Sequence, residues 1–318
     1  MESFEELELP RIGIGCNAFG TRIDGDRVRE VVDAAIEHGA AFFDTADVYG
    51  FGASEELLGA AIKGRREEVT VATKFGMDLQ GLNGPEDGRR GSPEYIRTAV
   101  EASLRRLGVD HIDLYQLHTP DRSTPIAETL GALNELVEAG TVRAIGCSNF
   151  RAWEIVDADW RARTDGVARF VTAQNEYSLY NRAAEDELLP ACAALGVGVL
   201  PYFPLAYGLL TGKYRRGQDA PEGSRLGGSG QAHRLAAADW DQIEALQALA
   251  EARDLTLLQV ALGGLAAQPA VASVIAGVSR PDQVAANVEA GAWDPTADEL
   301  AELAALKPKA KSYATYAN

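Results

Sequence analysis

Eight short apolar runs punctuate the chain, at residues 12–15, 41–44, 69–74, 112–117, 144–147, 171–174, 197–201 and 271–276. Most are continuous rather than alternating, the pattern of parallel strands covered on both faces. Between them, apolar side chains recur at helical spacing. Residues 26–38 carry Val28, Val31, Val32, Ala35 and Ile36 on one stripe, and Gly39 follows as a stop. Ser92 and Pro93 supply the cap and first position of a helix that runs to Leu107, ahead of Gly108. Further helices are predicted at 126–138, 183–195, 240–252, 257–267 and 281–290.

Strands alternating with helices eight times predict an α/β fold, a (β/α)8 TIM barrel, over residues 1–318 as a single domain. The alternative is an open doubly wound sheet, which needs a GxGxxG turn after its first strand. GIGCNAFG reads GxGxxxxG and does not lead straight into a helix. No Pro-, Ser- or Gly-rich linker divides the chain. The connections at 76–91 and 207–239 are unusually long and follow strands, so they are expected to act as lids over one end of the barrel. With the tail at 307–318, they are expected to shape its pocket.

Composition narrows the partners. A 318-residue chain with net charge −17 is a poor match for nucleic acid or an anionic membrane, though one local basic pocket for a phosphorylated ligand remains compatible. The start, MESFEELELP, has no secretory pattern, and no apolar run is long enough to cross a bilayer. Cys16, Cys147 and Cys192 have neither CxxC spacing nor an even count. A reduced, cytoplasmic protein is expected, with these thiols as inert packing rather than redox sensors.

Four polar residues stand near strand ends: Asp44 and Tyr49 in AFFDTADVYG, Lys74 in VTVATKFG and His118 in IDLYQLHTP. In a parallel barrel they converge at one open end, a combination suited to protonating a carbonyl as it is reduced. A phenol ordinarily ionises near 10, so tuning Tyr49 to neutral pH takes about 4 kcal/mol, which a buried cation can supply. Lys74 is the expected cation, Asp44 its anchor, and His118 the group that places the carbonyl. A metal-dependent barrel hydrolase with Asp44 and His118 as ligands is a rival. His38, His111 and His233 add no ligand pattern to it.

Taken together, FFDTADVYGFGASEELLG, VATKFG, GVDHIDLYQLH and VRAIGCSNF resemble the motifs of the aldo-keto reductase family, and the likeness runs over residues 12–287. The resemblance implies an NADP(H)-dependent barrel oxidoreductase acting on a small carbonyl substrate, with Asp44, Tyr49, Lys74 and His118 as its catalytic tetrad. It also implies cofactor contacts. Ser148, Asn149 and Gln174 would hold the nicotinamide amide, Tyr202 would stack on its ring, and Gly15 and Leu205 would lie against the cofactor. Lys213 in GLLTGKY and Arg225 in GSRL would meet its phosphates. Gly277, Ser279, Arg280, Gln283 and Asn287 would form the adenosine-phosphate segment, with Arg280 favouring NADPH and NADH remaining possible. A nicotinamide-binding regulatory subunit with negligible turnover is the alternative.

Some positions depart from the family pattern. Phe203 replaces a usual serine, Ala276 a proline and Ala286 a glutamate. Gly263-Gly264 replaces a larger pair, which predicts looser packing behind the eighth strand.

Overall fold

The computed structural model describes residues 3–84, 87–227 and 231–307. Its strands are β1 (Ile12–Gly15), β2 (Phe42–Asp44), β3 (Thr70–Phe75), β4 (Ile112–Leu117), β5 (Val142–Ser148), β6 (Phe170–Gln174), β7 (Gly198–Val199) and β8 (Val274–Gly277). They form one sheet in the order β7-β6-β5-β4-β3-β2-β1-β8, with every pairing parallel. Three hydrogen bonds join its two edges. Val199 N donates to Ala270 O (2.6 Å), Ala272 N to Val199 O (2.8 Å), and Ile275 N to Pro201 O (2.9 Å). The sheet is therefore curled into a (β/α)8 barrel, as the alternation predicts.

All eight predicted strands are present. β8 begins later than expected because Ala270 takes a left-handed backbone (φ 64°) and residues 271–272 only bridge to Val199. The helix expected at 183–195 is broken into a 3₁₀ turn, Ala183–Glu185, and a helix at Leu188–Leu195. Pro190 has no N–H to give residue 186, so the helix restarts with proline in its first turn. Helices at Ala53–Ala61, Ala152–Asp165 and Ala297–Ala305 lay outside the predicted set.

The long connection at 207–239 is not structureless: it holds a 3₁₀ turn at Arg225–Gly227 and a helix at Ala232–Ala236. Residues 85–86, 228–230 and most of the tail, 308–318, lie outside the described residues.

Two apolar layers hold the barrel. The larger lies between strands and helices and includes Ile14, Phe43, Val71, Tyr115, Ile145 and Val260. The smaller fills the barrel itself: Phe42, Ala72, Leu114, Ala144, Val171, Leu200 and Ile275, with Leu7 buried beneath and Phe4 packed against them. A Cβ on Gly198 would stand 2.6 Å from the Phe4 ring, so this glycine admits the N-terminal plug. Behind β8 the packing is tight, contrary to the looseness predicted from Gly263-Gly264. A Cβ on Gly263 would meet Trp293 O at 2.6 Å, so the small residue lets helix Leu257–Ala266 close on the following turn. No helix among the described residues is long and apolar enough to cross a membrane.

Candidate active site

Strand alternation builds the site. Phe42 points into the barrel, and Asp44, two residues on, points the same way but one layer closer to the mouth. On β3 the same step leads from Ala72 to Lys74, and on β4 from Leu114 to Gln116. Lys74 is fully buried, and its Nζ lies 2.7 Å from Asp44 Oδ2 and 2.9 Å from Thr45 O. The other Asp44 oxygen accepts from Gln116 Nε2 (3.1 Å) and Gln174 Nε2 (2.8 Å). Burial opposes the Lys74 charge, yet Asp44 and Tyr49 more than offset it and hold its pKa above the ordinary lysine value.

Tyr49 reaches the same place from the loop after β2. Its ring centroid lies 5.1 Å from Lys74 Nζ and 5.9 Å from the His118 ring, edge to face. Burial pushes the Tyr49 hydroxyl above the ordinary phenol value, and the pull of Lys74 offsets that only in part. This reverses the expected direction of tuning: desolvation outweighs the lysine. A phenol so placed keeps its proton at neutral pH. Burial, then the neighbouring Lys74 charge, depresses His118 well below the histidine range, so its imidazole is neutral. Its Nδ1 is buried and has no partner among the described residues.

The structure therefore brings the four predicted residues together and adds Gln116, which the sequence reading missed. Its signal was present: it stands two before His118 on a strand whose alternate residues face inward. Gln116 Oε1 also has no partner among the described residues.

The expected cofactor residues occupy the same rim. Ser148 Oγ donates to Gln174 O (2.9 Å), Asn149 Nδ2 donates to His118 O (2.9 Å), and Tyr202 OH donates to Asn149 Oδ1 (2.8 Å). Gly15 and Gly277 end adjacent strands at the mouth and pair in register. After β7, Phe203, Ala206 and Tyr207 take left-handed backbones around half-buried Leu205, an expensive conformation for residues with a Cβ. The turn they make presents aromatic rings to the lid: Arg225 lies 5.6 Å from the Phe203 ring and 5.2 Å from that of Tyr207. Lys213 lies over the ring of Tyr214.

Beyond β8, Ser279 N donates to Gln283 Oε1 (2.8 Å), Arg280 precedes helix Pro281–Gly291, and Asn287 is buried on that helix. Arg280 is already engaged, through Nε and Nη2, by both oxygens of Asp282 (2.9 and 3.0 Å).

This end of the barrel suits an anionic dinucleotide. Among the described residues Arg225 has no carboxylate partner, although burial and then Arg22 lower its pKa. A partly buried cation beside Arg22, in a chain of net charge −17, is electrostatically suited to an anionic ligand. Burial pushes Cys16 and Cys147 well above the ordinary thiol range and Cys192 up to about 12, so none is a poised thiolate. The rival hydrolase reading has no support in the geometry: Asp44 is committed to Lys74 and two glutamines, and no three His, Cys, Asp or Glu side chains converge among the described residues.

Comparison with known proteins agrees. The model of the Aldo/keto reductase family matches residues 11–308. The chain is 37% identical over 302 residues to the NADH-specific methylglyoxal reductase of Escherichia coli, covering 90% of each. It is 36% identical over 282 residues to a probable voltage-gated potassium channel subunit beta of Arabidopsis thaliana, covering 86% of this chain and 84% of that one. A solved holo aldo-keto reductase from Bacillus halodurans superposes with a TM-score of 0.78 at 33% identity, covering 96% and 95% of the two chains. With its fold, its buried Lys74–Asp44 pair and these likenesses in agreement, the chain belongs to the aldo/keto reductase family.

Proposed function

We propose that the protein reduces an aldehyde or ketone reversibly to the alcohol, using NADPH and Tyr49 as the general acid. The observation that carries this reading is the meeting of a protonated phenol, a buried lysine–aspartate pair and a neutral imidazole at one mouth. A nicotinamide bound there supplies hydride, and the protein's own groups do the rest. His118, neutral, donates from its ring N–H to the carbonyl oxygen and holds it beside Tyr49. Tyr49 gives its proton to the oxygen as negative charge develops there. Lys74 stabilises the phenolate left behind, and Asp44, itself fixed by Gln116 and Gln174, keeps Lys74 charged and aimed.

Cofactor contacts are assigned to Gly15, Ser148, Asn149, Gln174, Tyr202, Leu205, Lys213, Arg225, Gly277, Ser279, Arg280, Gln283 and Asn287. Gln174 has its amide nitrogen on Asp44, so its oxygen is the atom that accepts from a carboxamide. Buried free thiols support a cytoplasmic setting. The matched span supports one barrel domain as the working unit.

The experiment is turnover of NADPH and NADH against a panel of aldehydes, ketones and sugars. Negligible turnover with tight cofactor binding would favour the second reading, a regulatory subunit, which the 36%-identical channel-subunit relative keeps in play.

For cofactor choice, Arg280 must exchange Asp282 for the 2′-phosphate, which moderates its effect. Arg280→Ala is expected to weaken NADPH binding about tenfold and to leave NADH binding nearly unchanged. Fluorescence titration of both cofactors checks this, and equal losses would show that Arg280 does not read the phosphate.

A further inference from the structure

The loop that carries Tyr49 is fastened from outside the barrel by groups to which the proposed chemistry gives no role. Asp47 precedes Tyr49 by two residues, and Glu55 follows it by six; both carboxyls are fully buried. Arg106, on helix Pro93–Leu107, donates from Nε to Glu55 (2.6 Å) and from Nη1 to Asn83 Oδ1 (3.0 Å). Asn83, in the long connection after β3, donates its amide nitrogen to Asp47 Oδ2 (3.2 Å). Thr73 Oγ1 donates to the second Glu55 oxygen (2.6 Å). Two carboxyls on either side of Tyr49 thus hang on one Arg106–Asn83 brace.

We propose that Asp47 is a positioning residue for Tyr49, acting through the Asn83–Arg106–Glu55 brace, so that the connection after β3 and the proton-donating loop move as one unit. This rests on Tyr49 being the proton donor.

The charge balance sets how the brace works. Two buried carboxyls face one guanidinium, and Glu55 takes it directly. Asp47 has the Asn83 amide and the neighbouring Val48 backbone N–H, and its Oδ1 has no partner among the described residues. Tyr95 and Tyr115 are the other ionisable groups around it, and burial pushes the Tyr115 phenol well above its ordinary value, so that it stays neutral. Burial, then the Glu55 charge, pushes Asp47 up to about 8, so at neutral pH its carboxyl keeps its proton. An unfolded aspartate loses that proton near 3.8, and the folded one holds it to about 8. Stability from this group therefore falls as pH rises through that window, and above it a second buried carboxylate stands beside Glu55. The brace is accordingly firmest at acid pH and loosens progressively up to about pH 8, above which this group changes nothing further.

The test is hydrogen exchange on the full chain, comparing residues 45–54 with residues 76–84 and, as a control, helix Pro281–Gly291. Asn83→Ala and Asp47→Ala are expected to lower protection of 45–54 about tenfold with the control unchanged. Asp47→Asn, which keeps an uncharged group of the same shape, is expected to restore it. Wild-type protection of 45–54, corrected for intrinsic rates, should fall between about pH 5 and 8 and level off above that, whereas that of Asp47→Asn should not fall. In turnover, Asn83→Ala should lower kcat while cofactor KM stays near wild type.

If Asn83→Ala loosens only 76–84, or if protection of 45–54 is lost with kcat unchanged, the positioning role is overturned. Should Asp47→Ala fail to fold, Asn83→Ala decides the question alone. A wild-type protein without turnover on any carbonyl would sink the functional reading while leaving the exchange result to judge the brace.

Discussion

The two ends of the barrel are built by the same strands and differ completely in what they do. At the lower end, inward side chains are Phe42, Ala72, Leu114 and Ile275, with Leu7 and Phe4 closing the floor. Two residues further along three of those strands, the inward positions are Asp44, Lys74 and Gln116. The lower end has charges too, around a cleft of about 490 Å³ that includes Arg66, His111, Asp113 and Arg143. There both Asp113 oxygens are satisfied, by Arg66 (2.6 Å), Val71 N (2.8 Å) and Arg143 (2.7 Å). At the upper end Gln116 Oε1 and His118 Nδ1 are buried and unpaired among the described residues. The difference teaches where to look for function. A carboxylate with both oxygens satisfied ties strands together, even though Arg66 Nε beside it has no partner among the described residues, whereas open acceptors beside a buried lysine–aspartate pair mark where to look for a ligand.

Four substitutions probe this division between the ends. The largest effect is expected from Lys74→Met, which removes the charge beside Tyr49 and strands Asp44. It should lower kcat at least as far as loss of the general acid and cost about 3 kcal/mol of stability, because the two glutamine donors compensate Asp44 only in part. Steady-state kinetics with denaturant unfolding measures both, and wild-type values for both would assign Lys74 to packing alone.

Tyr49→Phe should lower kcat by about two to four orders of magnitude with the fold and NADPH binding intact. Near-wild-type kcat, under conditions limited by chemistry, would remove Tyr49 from its role.

At the other end, Leu114→Ala should cost about 2–5 kcal/mol through the cavity it leaves, with kcat at 25 °C close to wild type. A loss of kcat without a loss of stability would mean that the two ends are not separable.

The smallest effect concerns pH. An unfolded histidine takes up a proton near 6.5, and folded His118, held neutral by burial, does not. Stability should therefore fall as pH drops below about 6.5, by no more than about 1.4 kcal/mol per pH unit from this residue. His118→Gln should flatten that acid limb in denaturant titrations; an unchanged limb would place the sensitivity elsewhere.

Much of this was legible from residue types and spacing. The continuous apolar runs marked all eight strands, and the caps at Ser92-Pro93 and Gly108 bounded their helix to the residue. Asp44, Lys74 and His118 were readable because each ends an apolar run. The helices at Ala53–Ala61 and Ala152–Asp165 were harder. The first follows the DTADVYG stretch, whose polar residues mask its stripe. The second carries Trp153, Val156 and Trp160 exposed, so its apolar positions do not all face the core.

The sequence by itself determined the alternation of strand and helix, the strand that carries or precedes each candidate side chain, and the end of the barrel at which each lies. Those properties follow from local periodicity and from the parallel direction that the intervening helical crossovers impose. Only the tertiary structure decided the sign of the Tyr49 shift, the recruitment of Gln116 and Gln174 to Asp44, the capture of Arg280 by Asp282 and the clasp of Asp47. Each of these depends on distance and desolvation between groups far apart in the chain. Such energies are set by the packed geometry, and periodicity does not encode them.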